Sequence, residues 1–150
     1  MFFTTVLRSQ TSSINHVKTV WERMSKNGFN GLFTLDIITS DSKSGTITAR
    51  FLVDKNHANM YETLHGGSIA SLVDIAGSLA IASKKTTDYT GVSTDLSVSY
   101  VKGVKLGETV TIISKMQSNG KTLAYTTTEF LNDDNEVVAF GSHTKFIKKR

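Results

Sequence analysis

The chain has 150 residues, of which 39% are hydrophobic and 20% charged, so it fits one globular domain that buries its own core. It contains no cysteine, which excludes disulfides, zinc–thiolate sites and a cysteine nucleophile. The formal net charge of +4 favours an anionic ligand, but the lysines are dispersed and lack a series of stacking aromatic residues, so we expect no nucleic-acid partner. No apolar run free of turns or charges approaches the ~20 residues of a membrane span, and we expect a soluble protein.

Residues 1–13 are rich in Ser and Thr and contain one basic residue, Arg8, and no acid. This composition suits a mitochondrial presequence, but the scarcity of basic residues makes a flexible terminus of a cytoplasmic protein nearly as good an interpretation. We therefore treat residues 1–13 as a flexible or targeting segment and residues 14–150 as one domain.

A helix is predicted from Ile14, because apolar residues follow it at steps of three and four until Asn27-Gly28 ends the pattern. Apolar and polar residues then alternate over 33–37 and again over 47–53, which predicts an antiparallel hairpin. Residues 54–63 show no period, so we expect a loop that leads to the next helix.

A second, longer helical pattern covers residues 63–83 and is apolar on almost every side, so we expect other structure to enclose it. The first turn of this helix contains Gly66 and Gly67. No side chains cover their N–H groups, which lie at the positive end of the helix dipole. A polar stripe on one face, formed by Ser68, Ser71, Asp74 and Ser78, carries a single carboxylate. In its charged form Asp74 needs water, hydrogen bonds or a positive partner. The pattern predicts an oxyanion site at the first turn and a base at Asp74.

Four further segments alternate as strands do and are joined by short connections: residues 92–100, 109–117, 121–131 and 136–148. Strong turn signals separate the last three strands. Because the helices are segregated from strands that follow one another in hairpins, the chain is predicted to be an α+β domain with one antiparallel sheet curled over the long helix.

Residues 59–67 (Asn-Met-Tyr-Glu-Thr-Leu-His-Gly-Gly) and 72–74 (Leu-Val-Asp) resemble the signature of the hotdog-fold acyl-CoA thioesterases, in the phenylacetate-pathway thioesterase-like group. Four later segments extend the resemblance over about residues 14–148: 91–96, 105–108, 120–125 and 143–145. The resemblance implies a hotdog fold, in which a curled antiparallel sheet wraps around one long central helix, with a short N-terminal helix beside it. It also implies a homodimer whose sheets join edge to edge, paired again into a dimer of dimers.

By the same resemblance, the Gly66 N–H and the Asn59 side chain hold the thioester oxygen, Asp74 activates water, and Ser93 positions that water. No covalent intermediate is required, and no cofactor or metal is expected, because the CoA thioester is the substrate. His65 is given a site-shaping role, since the helix dipole disfavours its cationic form. Gly66 and Asp74 are eight residues apart, about 12 Å along a helix, so Asp74 would have to serve the Gly66 of a partner subunit.

The resemblance further assigns nine residues to substrate and CoA binding: Gly67, Tyr100, Lys102, Lys105, Ser118, Gly120, Lys121, Thr122 and Lys145. The lysines at 102, 105 and 121 suit phosphate groups. Apolar residues on the helix favour a fatty acyl chain, of medium to long length, over a small polar one.

Two other functions stay open. One is a hotdog enoyl-thioester hydratase or dehydratase, in which a histidine and a carboxylate face each other across the site, as His65 and Asp74 could. The other is a non-catalytic acyl-CoA-binding protein, since a fold alone does not establish activity. A crotonyl thioester that loses its double bond without release of thiol would identify the hydratase, and saturable binding without turnover would identify the binding protein.

Overall fold

The computed structural model describes residues 2–85 and 87–148. Within them, two α-helices and one 3₁₀ helix accompany six strands: α1 (Phe2–Ser25), the 3₁₀ helix (Phe29–Leu32), β1 (Asp36–Asp41), β2 (Thr46–Leu52), α2 (Gly66–Lys85), β3 (Val92–Tyr100), β4 (Thr109–Asn119), β5 (Leu123–Leu131) and β6 (Val137–Phe146). The strands form one antiparallel sheet in the order β1-β2-β4-β5-β6-β3, so β1 and β3 are its edges. The predicted α+β architecture is confirmed.

Helix α2 packs on one face of this sheet and forms the centre of the core. Leu72, Val73 and Leu79 are completely buried. By length and composition the helix could also cross a membrane, but 67% of its apolar window is buried inside the domain. The packing therefore identifies α2 as the enclosed core helix that the sequence predicted.

Two glycines allow α2 to lie close to the sheet beneath its midpoint. A Cβ atom at Gly77 would lie 2.6 Å from Thr126 Oγ1, and one at Gly141 would lie 2.9 Å from a methyl group of Val73. Real side chains do not approach so closely, so a residue larger than glycine would force the helix and sheet apart. This close approach brings β6 side chains to the polar stripe of α2.

Several element boundaries differ from the prediction. Helix α1 begins at Phe2 rather than at Ile14, although its buried face, with Val17 and Trp21, is the predicted one. At the other end of the chain, β4 runs on to Asn119, because a bulge after Met116 lets the strand continue through the predicted turn. The interpretation of residues 1–13 as a flexible or targeting segment stays a prediction.

Candidate active site

The first turn of α2 presents an unused backbone donor. The Gly67 N–H donates to His65 Nδ1 at 2.8 Å, and the Ile69 N–H donates to the His65 carbonyl at 3.1 Å, so His65 caps the helix. The Gly66 N–H has no acceptor among the described residues. Tyr100 packs against Gly66, with its hydroxyl donating to the Gly66 carbonyl at 3.2 Å, and a Cβ at Gly66 would lie 3.3 Å from the Tyr100 ring. The geometry leaves the Gly66 N–H free at the positive end of the helix dipole.

The loop before α2 is held by the side chain of Asn59. Its Oδ1 accepts from the N–H groups of Tyr61 at 2.9 Å and Thr63 at 3.2 Å, and its Nδ2 donates to Thr63 Oγ1 at 2.9 Å. The second Nδ2 proton has no acceptor among the described residues. Asn59 therefore both fixes its own loop and keeps a donor free, and the loop enters α2 through Leu64, whose N–H donates to Val104.

Asp74 lies two turns further along α2 and is the centre of a second cluster. Its side chain is 44% exposed, and its Oδ1 accepts from Lys145 Nζ at 2.9 Å. The same ammonium group donates to Ser78 Oγ, one turn along the polar stripe, at 2.7 Å. Lys145 itself is only 4% exposed. The positive partner that a carboxylate in this helix requires is thus a buried lysine of β6.

Ser93 joins this cluster because of a bulge in β3. Strict alternation would place Ser93 on the outer face of the sheet with Ser97, but the register shifts between Ser93 and Asp95. Ser93 consequently pairs with Lys145 and turns toward α2, where its Oγ lies 3.4 Å from Asp74 Oδ1. A bulge commonly re-aims a side chain in this way.

His143 completes the cluster and was not predicted as a site residue. Its Nε2 lies 2.9 Å from Ser93 Oγ and 3.7 Å from Asp74 Oδ1. Burial lowers the pKa of His143, and the Lys145 ammonium lowers it further, against the opposing effect of Asp74 and Asp95. The ring is therefore neutral near pH 7, and its Nδ1 is buried without a hydrogen-bond partner among the described residues.

We assign the proton of a neutral His143 to Nε2, because Nε2 faces Ser93 and a proton on the buried Nδ1 would have no acceptor among the described residues. The ring then donates to Ser93 Oγ, and the Ser93 hydroxyl proton is left for Asp74 or for water beside it. Alternation along β6 could have identified His143, since it stands two residues from Lys145 on the inward face.

The two clusters lie at opposite ends of the sheet in one protomer. At one end, Ser93 pairs with Lys145 of β6; at the other, Tyr100 pairs with Ala139. Gly66 lies at the Tyr100 end and Asp74 at the Ser93 end, eight residues apart on one helix, or about 12 Å. One protomer therefore does not bring its own oxyanion donor and its own carboxylate to a single carbonyl group.

The residues predicted to bind CoA are divided in the same way. Tyr100 is the last residue of β3, at its Gly66 end, and Lys102 and Lys105 follow it. The β4–β5 hairpin with Ser118, Gly120, Lys121 and Thr122 lies at the Ser93 end. Lys105 and Lys121 are exposed. Lys102 forms an ion pair with Glu136, which raises the pKa of Lys102. Lys145 stands apart from the set, since its ammonium group contacts Asp74 and Ser78 inside the protein.

Comparisons with known proteins identify the family of this chain. Residues 61–139 match the thioesterase superfamily. Human acyl-coenzyme A thioesterase 13 is 35% identical over 104 residues, which cover 69% of this chain and 74% of that protein. The crystal structure of zebrafish thioesterase superfamily member 2 superposes with a TM-score of 0.82 at 30% identity, covering 90% of this chain and 98% of the other. A Streptococcus mutans protein bound to acetyl-CoA gives a TM-score of 0.69 at 25% identity, covering 78% and 90%.

The fold and these matches define a hotdog-fold thioester hydrolase. This chain belongs to the thioesterase superfamily.

Proposed function

We propose that this protein hydrolyses fatty acyl-CoA to a free fatty acid and CoA by direct attack of water. The observation that carries the proposal is the Asp74 cluster, in which a half-exposed carboxylate is paired with a buried cation and stands beside the Ser93 hydroxyl. A relative named for acyl-CoA hydrolysis and a structural neighbour bound to acetyl-CoA support the substrate class.

A homodimer is part of the proposal, because the two halves of the site lie apart in one protomer. Strand β3 has no partner on its outer side among the described residues, and Val92, Leu96 and Tyr100 are exposed along it. Proteins seldom leave such an edge open. Antiparallel pairing of β3 with β3 of a second copy would set the Ser93 end of one protomer beside the Gly66 end of the other, and would form two identical sites.

In the proposed reaction, the thioester oxygen accepts hydrogen bonds from the Gly66 N–H and Asn59 Nδ2 of one subunit. Asp74 of the other subunit takes a proton from water as the water oxygen bonds to the thioester carbon. The two donors stabilise the negative charge that develops on the thioester oxygen. When the electron pair on the thioester oxygen re-forms the carbonyl bond, the carbon–sulfur bond breaks and the fatty acid is formed. CoA leaves as its thiolate, and the proton held by Asp74 passes to the sulfur, which restores the Asp74 carboxylate.

The same pairing would gather the two groups of proposed CoA contacts. Lys102 and Lys105 of one subunit would approach the Lys121 hairpin of the other, so that cations from both chains could meet the phosphates. The ion pair between Lys102 and Glu136 would have to open or widen for such a contact. A dimer of dimers, which sedimentation or native mass measurement would detect, stays part of the proposal.

Release of free thiol from acyl-CoA substrates of two to sixteen carbons tests the proposed function and defines the chain-length preference. We expect turnover that favours medium or long chains, and a fall in kcat of ~10²-fold or more in Asp74→Asn, with acyl-CoA binding largely retained. Crotonyl-CoA is the control for the rival reaction. Loss of its double bond without thiol release would contradict hydrolysis in favour of a hydratase, and saturable binding without any turnover would contradict catalysis.

A further inference from the structure

Lys145 occupies an unusual position for a lysine. It lies on β6, the strand between β5 and β3, and points inward under α2, where it is 4% exposed. Its ammonium group is 2.9 Å from Asp74 Oδ1 and 2.7 Å from Ser78 Oγ. Lysine is almost never buried to this extent without a partner, because water solvates an ammonium group far better than a protein interior does.

The Lys145 charge depends on Asp74 more than the Asp74 charge depends on Lys145. Asp74 is 44% exposed, so water can still solvate its carboxylate if the ammonium group is removed. Lys145 is closed to solvent and has a neutral hydroxyl as its other contact. Removal of the Asp74 charge would therefore leave an uncompensated buried cation, which is the costlier of the two changes.

The surroundings of Asp74 offer no other cation among the described residues. His143, from the same strand as Lys145, lies 3.7 Å from Asp74 Oδ1, but burial lowers its pKa and keeps it neutral. Strand β3 contributes the Ser93 hydroxyl, and α2 contributes Ser78 through the lysine. Asp95, like Asp74, raises the pKa of His143.

All of these contacts fall on one oxygen of the carboxylate. Lys145, Ser93 and His143 face Oδ1, whereas Oδ2 has no partner among the described residues. A carboxylate held through one oxygen on the protein side presents its other oxygen to the solvent side in a fixed direction.

We propose that Lys145 is a positioning residue for thioester hydrolysis: it holds the Asp74 carboxylate in place through Oδ1, so that Oδ2 is the atom that takes the proton from water. This inference rests on the proposed function, and it replaces a contact between Lys145 and CoA. Lys145 then acts through Asp74 alone and does not touch the substrate.

A double-mutant cycle on the full chain tests this role. In the wild-type background, Lys145→Met should lower kcat by about 10-fold or more and change KM for a saturated acyl-CoA less than about 2-fold. In the Asp74→Asn background, the same substitution should change kcat less than about 2-fold, because the charge that it positions is already gone. Asp74→Asn should lower Tm more than Lys145→Met does, and the double variant should recover part of that loss.

Ser78→Ala gives a second cycle that keeps the buried charge and serves if Lys145→Met does not fold. It should lower kcat by a smaller factor in the wild-type background and leave kcat unchanged in the Asp74→Asn background. Losses of kcat that are equal in both backgrounds would overturn the inference, and so would a rise in KM in both, which is the result expected of a CoA contact. Absence of turnover by the wild type would instead overturn the proposed function.

Discussion

The two ends of the candidate site are built in different ways. At the first turn of α2, the donors come from the backbone of Gly66 and from Asn59, seven residues earlier, and local hydrogen bonds hold them. At the middle of α2, Asp74 depends on side chains from β3 and β6, of which Lys145 is 71 residues away in the chain. The first end is held largely by hydrogen bonds within residues 57–67, with Leu64 also donating to Val104, whereas the second end forms only when the sheet packs on the helix. Folding stability and catalysis are therefore coupled more tightly at Asp74 than at Gly66.

Among the variants that distinguish the two ends of the site, Asn59→Asp should lower kcat the most. This change keeps Oδ1 as the acceptor for the N–H groups of Tyr61 and Thr63 but removes the Nδ2 donor and adds negative charge where the oxyanion develops. We expect kcat to fall by about 10²- to 10³-fold while Tm changes little. Steady-state thiol release and thermal unfolding measure the two quantities.

Thr63→Val is the matched control for that experiment, since it removes the hydroxyl that accepts from Asn59 without removing the amide donor. A loss of kcat as large in Thr63→Val as in Asn59→Asp would mean that Asn59 acts by holding its loop. A large fall in Tm in Asn59→Asp would also mean that Asn59 acts by holding its loop.

A somewhat smaller effect should follow when subunits with lesions at opposite ends are combined. Asn59→Ala disables the donor side and Asp74→Asn the base side, so each homodimer is inactive at both sites. After unfolding, equal mixing and refolding, half of the dimers should be mixed, and each should have one intact site. Activity should return to about a quarter of the wild type on this symmetry count.

Differently tagged subunits would verify that mixed dimers have formed. Because Asp74→Asn leaves Lys145 buried without its counter-ion, the double variant Asp74→Asn/Lys145→Met serves as the base-side partner if the single variant refolds poorly. Verified mixed dimers without recovered activity would mean that Asp74 acts within its own subunit, and the two-subunit site would be abandoned.

The sequence predicts one end of the site better than the other for a physical reason. Helical periodicity and the glycine pair place the Gly66 donor and the Asp74 carboxylate on α2, because both signals lie within one element. The cation beside Asp74 is a long-range contact, and the lysine that supplies it was assigned to CoA from resemblance. Ser93 is harder still to place from the sequence. A bulge in β3 turns its side chain to the face of the sheet opposite the one that strict alternation predicts.

The smallest expected effect is a pH dependence of the free energy of unfolding that comes from His143, at the Asp74 end of the site. Burial holds the pKa of His143 below its ordinary value of 6.5 in the folded protein. His143 is therefore more readily protonated in the unfolded chain than in the folded one, and its contribution to the free energy of unfolding falls as the pH falls through about 6.5. His143→Gln removes this contribution and keeps an amide donor for Ser93. Denaturant unfolding from pH 7.5 to pH 5.5 should show the wild type losing stability relative to the variant, by at most about 1.4 kcal/mol per pH unit.

The other histidines are common to both proteins, so their contributions cancel in the difference between the two free energies of unfolding. A constant difference across this pH range would mean that His143 is as readily protonated in the folded protein as in the unfolded chain.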